Sequence, residues 1–218
     1  MTRKPLSRRD FLLRSSLALG AFVLGCSSLG YLATLPPAFE TIDTTFGKDK
    51  PMNQRILVTY ATRAGSTIEV AAAIGETLTA RGFCVDVRPV KEKPTLDGYS
   101  AVVMGSAIRI GGWLPEAVDF IRRNQARLNA LPVALYTTHM LNRGEDDASR
   151  AARAAYTSPV RAFLPNAPEA FFAGKMDYST LSFVDRLLAK AVEKQTNTPP
   201  GDFRDWTKIR AWAQTMAL

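Results

Sequence analysis

From position 55 onward the apolar residues fall in short solid blocks, and each block is followed by a stretch in which they return every three or four residues. Arg55–Tyr60 reads RILVTY, and the segment from Ser66 to Arg81 then carries its apolar residues at helical spacing. The alternation repeats with Phe83–Val87, ahead of Pro89, which cannot donate to a ladder, and with Ala101–Gly105 (AVVMG). Leu131–Thr137 (LPVALYT) and a short Ala170–Gly174 complete five predicted strands. Between them the periodicity predicts a helix over Pro115–Asn129 that starts at Leu114-Pro115, and one over Asp147–Phe163 with an Ala-rich face. A closing helix over Trp206–Met216 takes Asp205 as its cap. Alternating strands and helices predict an α/β fold, a parallel sheet with helices on both faces. One more helical stripe, apolar at 181, 183, 184, 187, 188, 191 and 192, either packs onto the domain or docks on a membrane.

Upstream of residue 53 the pattern changes. A basic start, MTRKPLSRR, runs into a long, weakly hydrophobic stretch containing Gly and Ser. Ser7-Arg8-Arg9-Asp10-Phe11-Leu12-Leu13 closely matches the S-R-R-x-F-L-K pattern of bacterial twin-arginine export signals, with Leu13 where Lys is usual. The expected organisation is a signal or membrane segment over 1–35, a linker over 36–52 and one globular domain over 53–218. Export of a folded, cofactor-loaded chain follows, to the periplasm or the outer face of the cytoplasmic membrane. Val23-Leu24-Gly25-Cys26 is a loose lipidation motif, which leaves open lipidation at Cys26, cleavage after Gly30 or near Ala38, or retention as an anchor.

Composition narrows the function classes. The chain has 218 residues, 28 Lys/Arg against 20 Asp/Glu, and a net charge of +8. Seven of the cations and four of the anions fall within residues 1–50, so the domain keeps a surplus of about +5. There is no long basic run and no nucleic-acid motif, so DNA and RNA are not expected partners. Two cysteines without a CxxC and a single histidine leave no basis for a structural metal site.

The chemistry concentrates where the first strand ends. Thr62-Arg63-Ala64-Gly65-Ser66-Thr67 is a T-x-x-G-x-T loop opening a helix. Unpaired N–H groups at a helix N-terminus carry partial positive charge and hold a phosphate without a lysine. The GxxxxGK[ST] and GxGxxG alternatives both fail, since no lysine precedes Ser66 and only Gly65 is present. Local capping is the plainer reading of the same residues. After the third strand comes Ser106-Ala107-Ile108-Arg109-Ile110-Gly111-Gly112-Trp113, and after the fourth Thr138-His139-Met140-Leu141-Asn142-Arg143-Gly144. In a parallel α/β sheet these loops share the carboxyl edge where ligands sit. Trp113 either covers a face of a bound ring or packs in the core. His139 is either satisfied by backbone or solvent or a proton-transfer group, and Arg109 either stabilises an anionic ring or forms a salt bridge.

The first loop resembles the phosphate loop of flavodoxins, which binds the terminal phosphate of FMN. With VVMGSAIRIGGW, FAGKMDYSTLSFVDRLL and Asp205-Trp206, the likeness over residues 54–216 is to the menaquinone-dependent protoporphyrinogen oxidases. The resemblance implies a flavodoxin-like three-layer sandwich with a five-stranded parallel sheet of order 2-1-3-4-5, and FMN as cofactor. It implies oxidation of protoporphyrinogen IX in two-electron steps, with a quinone reoxidising the flavin, and no catalytic side chain beyond the cofactor. Carried onto this chain, Thr62, Arg63, Ala64, Gly65, Ser66 and Thr67 hold the phosphate. Ser106, Ala107, Ile108, Arg109, Ile110 and Gly111, with Thr138 and His139, surround the ring. An exported flavodoxin-type electron carrier and a flavin-free binding module are the rival readings. The basic domain, with Arg63 and Arg109 at the expected rim, counts against the first, and the intact phosphate loop against the second.

Overall fold

A computed structural model describes residues 41–218; the twin-arginine-like segment and Cys26 lie outside the described residues. Strands β1 (Thr44–Phe46), β2 (Arg55–Ala61), β3 (Cys84–Pro89), β4 (Ala101–Arg109), β6 (Val133–His139) and β7 (Glu169–Ala173) form one sheet of order β1-β3-β2-β4-β6-β7. All neighbours from β3 to β7 are parallel, and β5 (Gly112–Trp113) folds back antiparallel on β4. Strands buried on both faces read as continuous apolar runs, which is why RILVTY and AVVMG stand out in the sequence.

Side chains alternate between two cores. Ile56, Val58 and Tyr60 of β2 pack under helices α1 (Ser66–Ala80) and α6 (Trp206–Thr215), with Ile74, Leu78 and Ile209. Leu57, Val102, Met104 and Leu135 face the other way, onto Leu114, Ile121 and Leu128 at helix α2 (Pro115–Asn129). Pro115 starts α2, and the Asp205 carboxylate accepts the Lys208 N–H at the start of α6, as the sequence predicts.

Four elements depart from expectation. Part of the 36–52 stretch read as a linker forms β1, antiparallel to β3. Asp86 secures it from below: the carboxylate is inaccessible to solvent and accepts from Thr45 Oγ1 (2.5 Å) and Tyr99 OH (2.6 Å), beside Arg55 and Arg88. Burial raises its pKa, but the two hydroxyl donors and two guanidinium groups outweigh that and hold it below the usual carboxylate range. Pro89 belongs to β3, as its last residue, where the missing N–H costs least. The single helix expected over Asp147–Phe163 is two, α3 (Asp147–Tyr156) and α4 (Ser158–Arg161), broken at Thr157 because Pro159 cannot continue the ladder. Finally, β7 leads into an excursion: β8 (Lys175–Met176) pairs with β9 (Gly201–Asp202), and helix α5 (Phe183–Thr196) lies between them.

Candidate functional site

A cavity of about 600 Å³ opens at the carboxyl edge of the sheet. One side is made by Arg63, Ala64 and Ser66, by Ala107, Ile108, Arg109, Ile110 and Gly111, and by Thr138 to Asn142. The opposite side comes from the excursion: Met176, Tyr178, Leu181, Leu188 and Val192. Its size falls within the roughly 300–1,000 Å³ usual for cofactor sites.

The loop before α1 is organised by its own residues. Thr62 Oγ1 accepts the Gly65 N–H at 3.1 Å, and Gly65 takes a left-handed conformation with φ of 81°. No side chain caps α1, so the first-turn N–H groups of Ser66 and Thr67 have no intrahelical acceptor and lie at the cavity end of the helix. Thr67 and Thr138 share a buried hydroxyl–hydroxyl hydrogen bond of 2.7 Å that pins the helix start to β6. Arg63 lines the cavity, and its guanidinium makes a two-pronged pair with Glu116 of α2 (2.7 and 3.0 Å).

The second loop is a hairpin. β4 runs past Gly105 to Arg109, which pairs with Gly112, and Ile110-Gly111 forms the two-residue turn with φ of 52° and 78°. Positive φ at both positions is the primed geometry that suits a hairpin's twist. For glycine this is free; for a β-branched residue it is strained, and Ile110 stands 85% exposed at the cavity rim. Ser106 shapes the bend from behind, accepting the Leu114 N–H (3.0 Å) and donating to the Ala107 carbonyl (2.8 Å). Thr62 and Ser106 thus shape the two loops, while Gly65 and Thr67 set the start of α1. Trp113 is a core residue, with its indole N–H on Thr137 Oγ1 at 2.8 Å. Arg109 pairs with Asp185 of α5 at 3.0 Å, joining the ring loop to the excursion.

His139 is 5% exposed, and its Nδ1 lies 2.7 Å from the Leu141 carbonyl. A carbonyl only accepts, so Nδ1 carries the proton and Nε2 is the acceptor. Burial lowers the imidazole pKa; the Leu141 carbonyl opposes this, and the cations Arg153, Lys208 and Arg143 add to it. Burial and these cations together favour the neutral ring. Beyond it lies a smaller cavity of about 320 Å³ with Arg143, Glu145, Arg153, Glu169, Asp205 and Lys208 in its wall. Glu145 there pairs with Arg153 and Lys208, and the T-x-x-G-x-T loop does not reach it.

The residues suit a group with an anionic end and a broad flat ring. Donors at the start of α1 meet the first, and a cavity walled largely by aliphatic and aromatic groups meets the second. Gly174 keeps the space open, since a Cβ there would come within 3.3 Å of Ser66 Oγ. The part that sequence reasoning missed is the wall made by Met176, Tyr178, Leu188 and Val192, together with Tyr156, whose hydroxyl accepts from Asn142 Nδ2.

This fold and this edge-on cavity define a flavodoxin-type domain, and residues 57–201 match the Flavodoxin domain family, to which the chain belongs. It is 27% identical over 175 residues to protoporphyrinogen IX dehydrogenase (quinone) of Escherichia coli strain K12, covering 75% of this chain and 94% of that protein. A protein of the same name from Leishmania major is 26% identical over 177 residues, covering 75% of this chain and 74% of that one. Among solved structures, a flavodoxin from the domain Archaea superposes with a TM-score of 0.42 at 19% identity, covering 66% of this chain and 99% of that one.

Proposed function

We propose that the chain is an FMN-dependent oxidoreductase of the protoporphyrinogen-oxidising type, passing electrons from a porphyrinogen to a quinone such as menaquinone. The observation that carries the reading is the two-sided cavity. The start of α1, with its first-turn N–H groups, and an apolar wall from α5 line one cavity, which suits a phosphate-bearing flavin and a largely hydrophobic macrocycle. Bound FMN would supply the two-electron redox chemistry at N5. The protein's part is placement. Ser66 and Thr67 offer first-turn N–H groups to the phosphate, and Thr62 and Gly65 hold the loop that aims them. The 107–111 backbone borders the ring, with the Arg109–Asp185 pair fixing its distance from α5. His139 would offer Nε2 as acceptor, and Leu181, Leu188 and Val192 would give the substrate side an apolar wall. An electron carrier between proteins needs no such apolar wall, and the basic domain disfavours it.

The full chain, purified and examined by absorbance, is expected to show flavin bands that bleach on anaerobic mixing with protoporphyrinogen IX and return on adding a quinone. Bands that stay oxidised would sink the substrate assignment. A colourless chain that cannot be reconstituted with FMN would sink the cofactor.

We further propose export by the twin-arginine route and retention at the outer face of the cytoplasmic membrane. The support is the Ser7–Leu13 motif and the apolar stretch after it. Changing Arg8 and Arg9 to Lys is expected to strand the protein in the cytoplasm, as followed by cell fractionation. Undiminished export of that variant would refute this route.

A further inference from the structure

Large exposed apolar side chains are unevenly spread over the described residues. Of Met52, Ile110, Phe183, Leu187, Leu188 and Val192, all but Met52 lie on α5 or on the hairpin turn that adjoins it. Helical geometry divides the α5 residues. Leu188 and Val192 share the cavity side with Asp185 and Glu193, whereas Phe183 and Leu187, 77% and 63% exposed, point outward with Arg186, Lys190 and Lys194. The acids are engaged on the inner side, Asp185 by Arg109 and Glu193 by the Tyr178 hydroxyl. The outer side thus presents two bulky apolar groups among three cations, the pattern of a helix lying in a lipid headgroup layer.

A second observation places the start of the described chain at the same edge of the sheet. β1 runs antiparallel to β3, with Thr44 opposite Val87 and Phe46 opposite Val85, so the chain enters at the carboxyl end of β3. Tyr60, near the carboxyl end of β2, donates its hydroxyl to the Ile42 carbonyl at 2.9 Å. The described chain therefore begins on the sheet edge that bears the cavity and α5. We propose that the outer face of α5, through Phe183, Leu187, Arg186, Lys190 and Lys194, docks on an anionic phospholipid surface and holds the carboxyl edge of the sheet, with its cavity, beside the bilayer. This extends the anchoring reading above: an anchor sets proximity, and the α5 face sets orientation. The cavity then sits at the membrane surface, close to a quinone dissolved in the bilayer.

The test uses the full chain carrying Cys26→Ser, with one cysteine introduced for an environment-sensitive fluorophore. Cys84 is buried and does not compete for label. The introduced cysteine is Leu187→Cys in one chain and Asn129→Cys, at the far end of α2, in the other. Each is mixed with vesicles of phosphatidylcholine alone or containing 30% phosphatidylglycerol, and co-sedimentation is measured in parallel. Docking gives a blue shift at 187 and none at 129, on anionic vesicles, weakened by salt. Neutralising Arg186, Lys190 and Lys194 to Gln removes on the order of a hundredfold of the face's lipid affinity, and with it most of the shift. An unshifted label at 187 on a chain that still co-sediments overturns the docking while leaving the anchor standing. An equal shift on neutral vesicles overturns the anionic recognition. A shift without vesicles that grows with protein concentration assigns the face to a second copy of the chain instead.

Discussion

Gly105→Ala, the addition of one methyl group, is expected to destabilise the domain by at least about 3 kcal/mol. Gly105 lies in β4 directly beside Tyr136 of β6, and the tyrosine ring folds across it. A Cβ at that position would come within 1.9 Å of Tyr136 Cζ and 2.3 Å of both Cε atoms. An exposed tyrosine would swing away at little cost. This one is wholly buried, with the rings of Phe172 and Trp212 each at 6.4 Å, so accommodation requires the sheet itself to shift. Aromatic cover of a strand glycine by its cross-strand neighbour is a recognised way to keep such a position in a sheet. Tyr136→Leu alone costs stability through the cavity it leaves. The double variant G105A/Y136L is expected to be more stable than the two single losses added together, because each change relieves the other. Urea denaturation of the four proteins gives the coupling. A loss below about 1 kcal/mol for G105A alone would mean that the ring and the strand are not packed this way.

The parallel strands were legible because burial on both faces turns them into unbroken apolar runs, RILVTY and LPVALYT among them. The helix starts at Pro115 and Asp205 were legible for a local reason, since a missing N–H and a capping carboxylate act within one turn. β1 was hidden: three residues are too few for a period, and what makes TTF a strand is Asp86, some forty positions later. The same limit applies at the site. Arg63 reads as a cation beside the phosphate and Arg109 as a ring neighbour or half of a salt bridge, and their partners Glu116 and Asp185 lie 53 and 76 positions away. Trp113 could face a ligand or the core until Thr137 supplied an acceptor for its indole N–H. The stripe at 181–192 was visible as a helix, but its apolar residues serve two faces, one on the cavity and one on the outside. Periodicity alone reports the sum of the two.

Gly65→Val is expected to raise the dissociation constant for FMN by about a hundredfold while leaving the apo domain within about 1 kcal/mol of its original stability. The argument is conformational, since a Cβ built on Gly65 meets nothing within 4 Å. What valine cannot accept is the φ of 81°, a left-handed backbone that costs a β-branched residue on the order of 1–3 kcal/mol. In the apo protein the loop escapes that cost by relaxing, because few bonds hold its turn: Gly65 N–H to Thr62 Oγ1 (3.1 Å), Ile68 N–H to the Gly65 carbonyl (2.9 Å) and Thr180 Oγ1 to the Ala64 carbonyl (3.4 Å). Relaxation moves the Ser66 and Thr67 N–H groups out of convergence, so the penalty reappears when the phosphate demands them back. Gly65→Asn separates conformation from bulk, as asparagine tolerates the left-handed region and adds a side chain of similar size. Flavin-fluorescence titrations should then rank the proteins with glycine tightest, asparagine close behind and valine far weaker. Equal losses for asparagine and valine would assign the open space at Gly65 to the ligand itself. Unchanged binding in both would place the phosphate elsewhere and remove the T-x-x-G-x-T loop from the site.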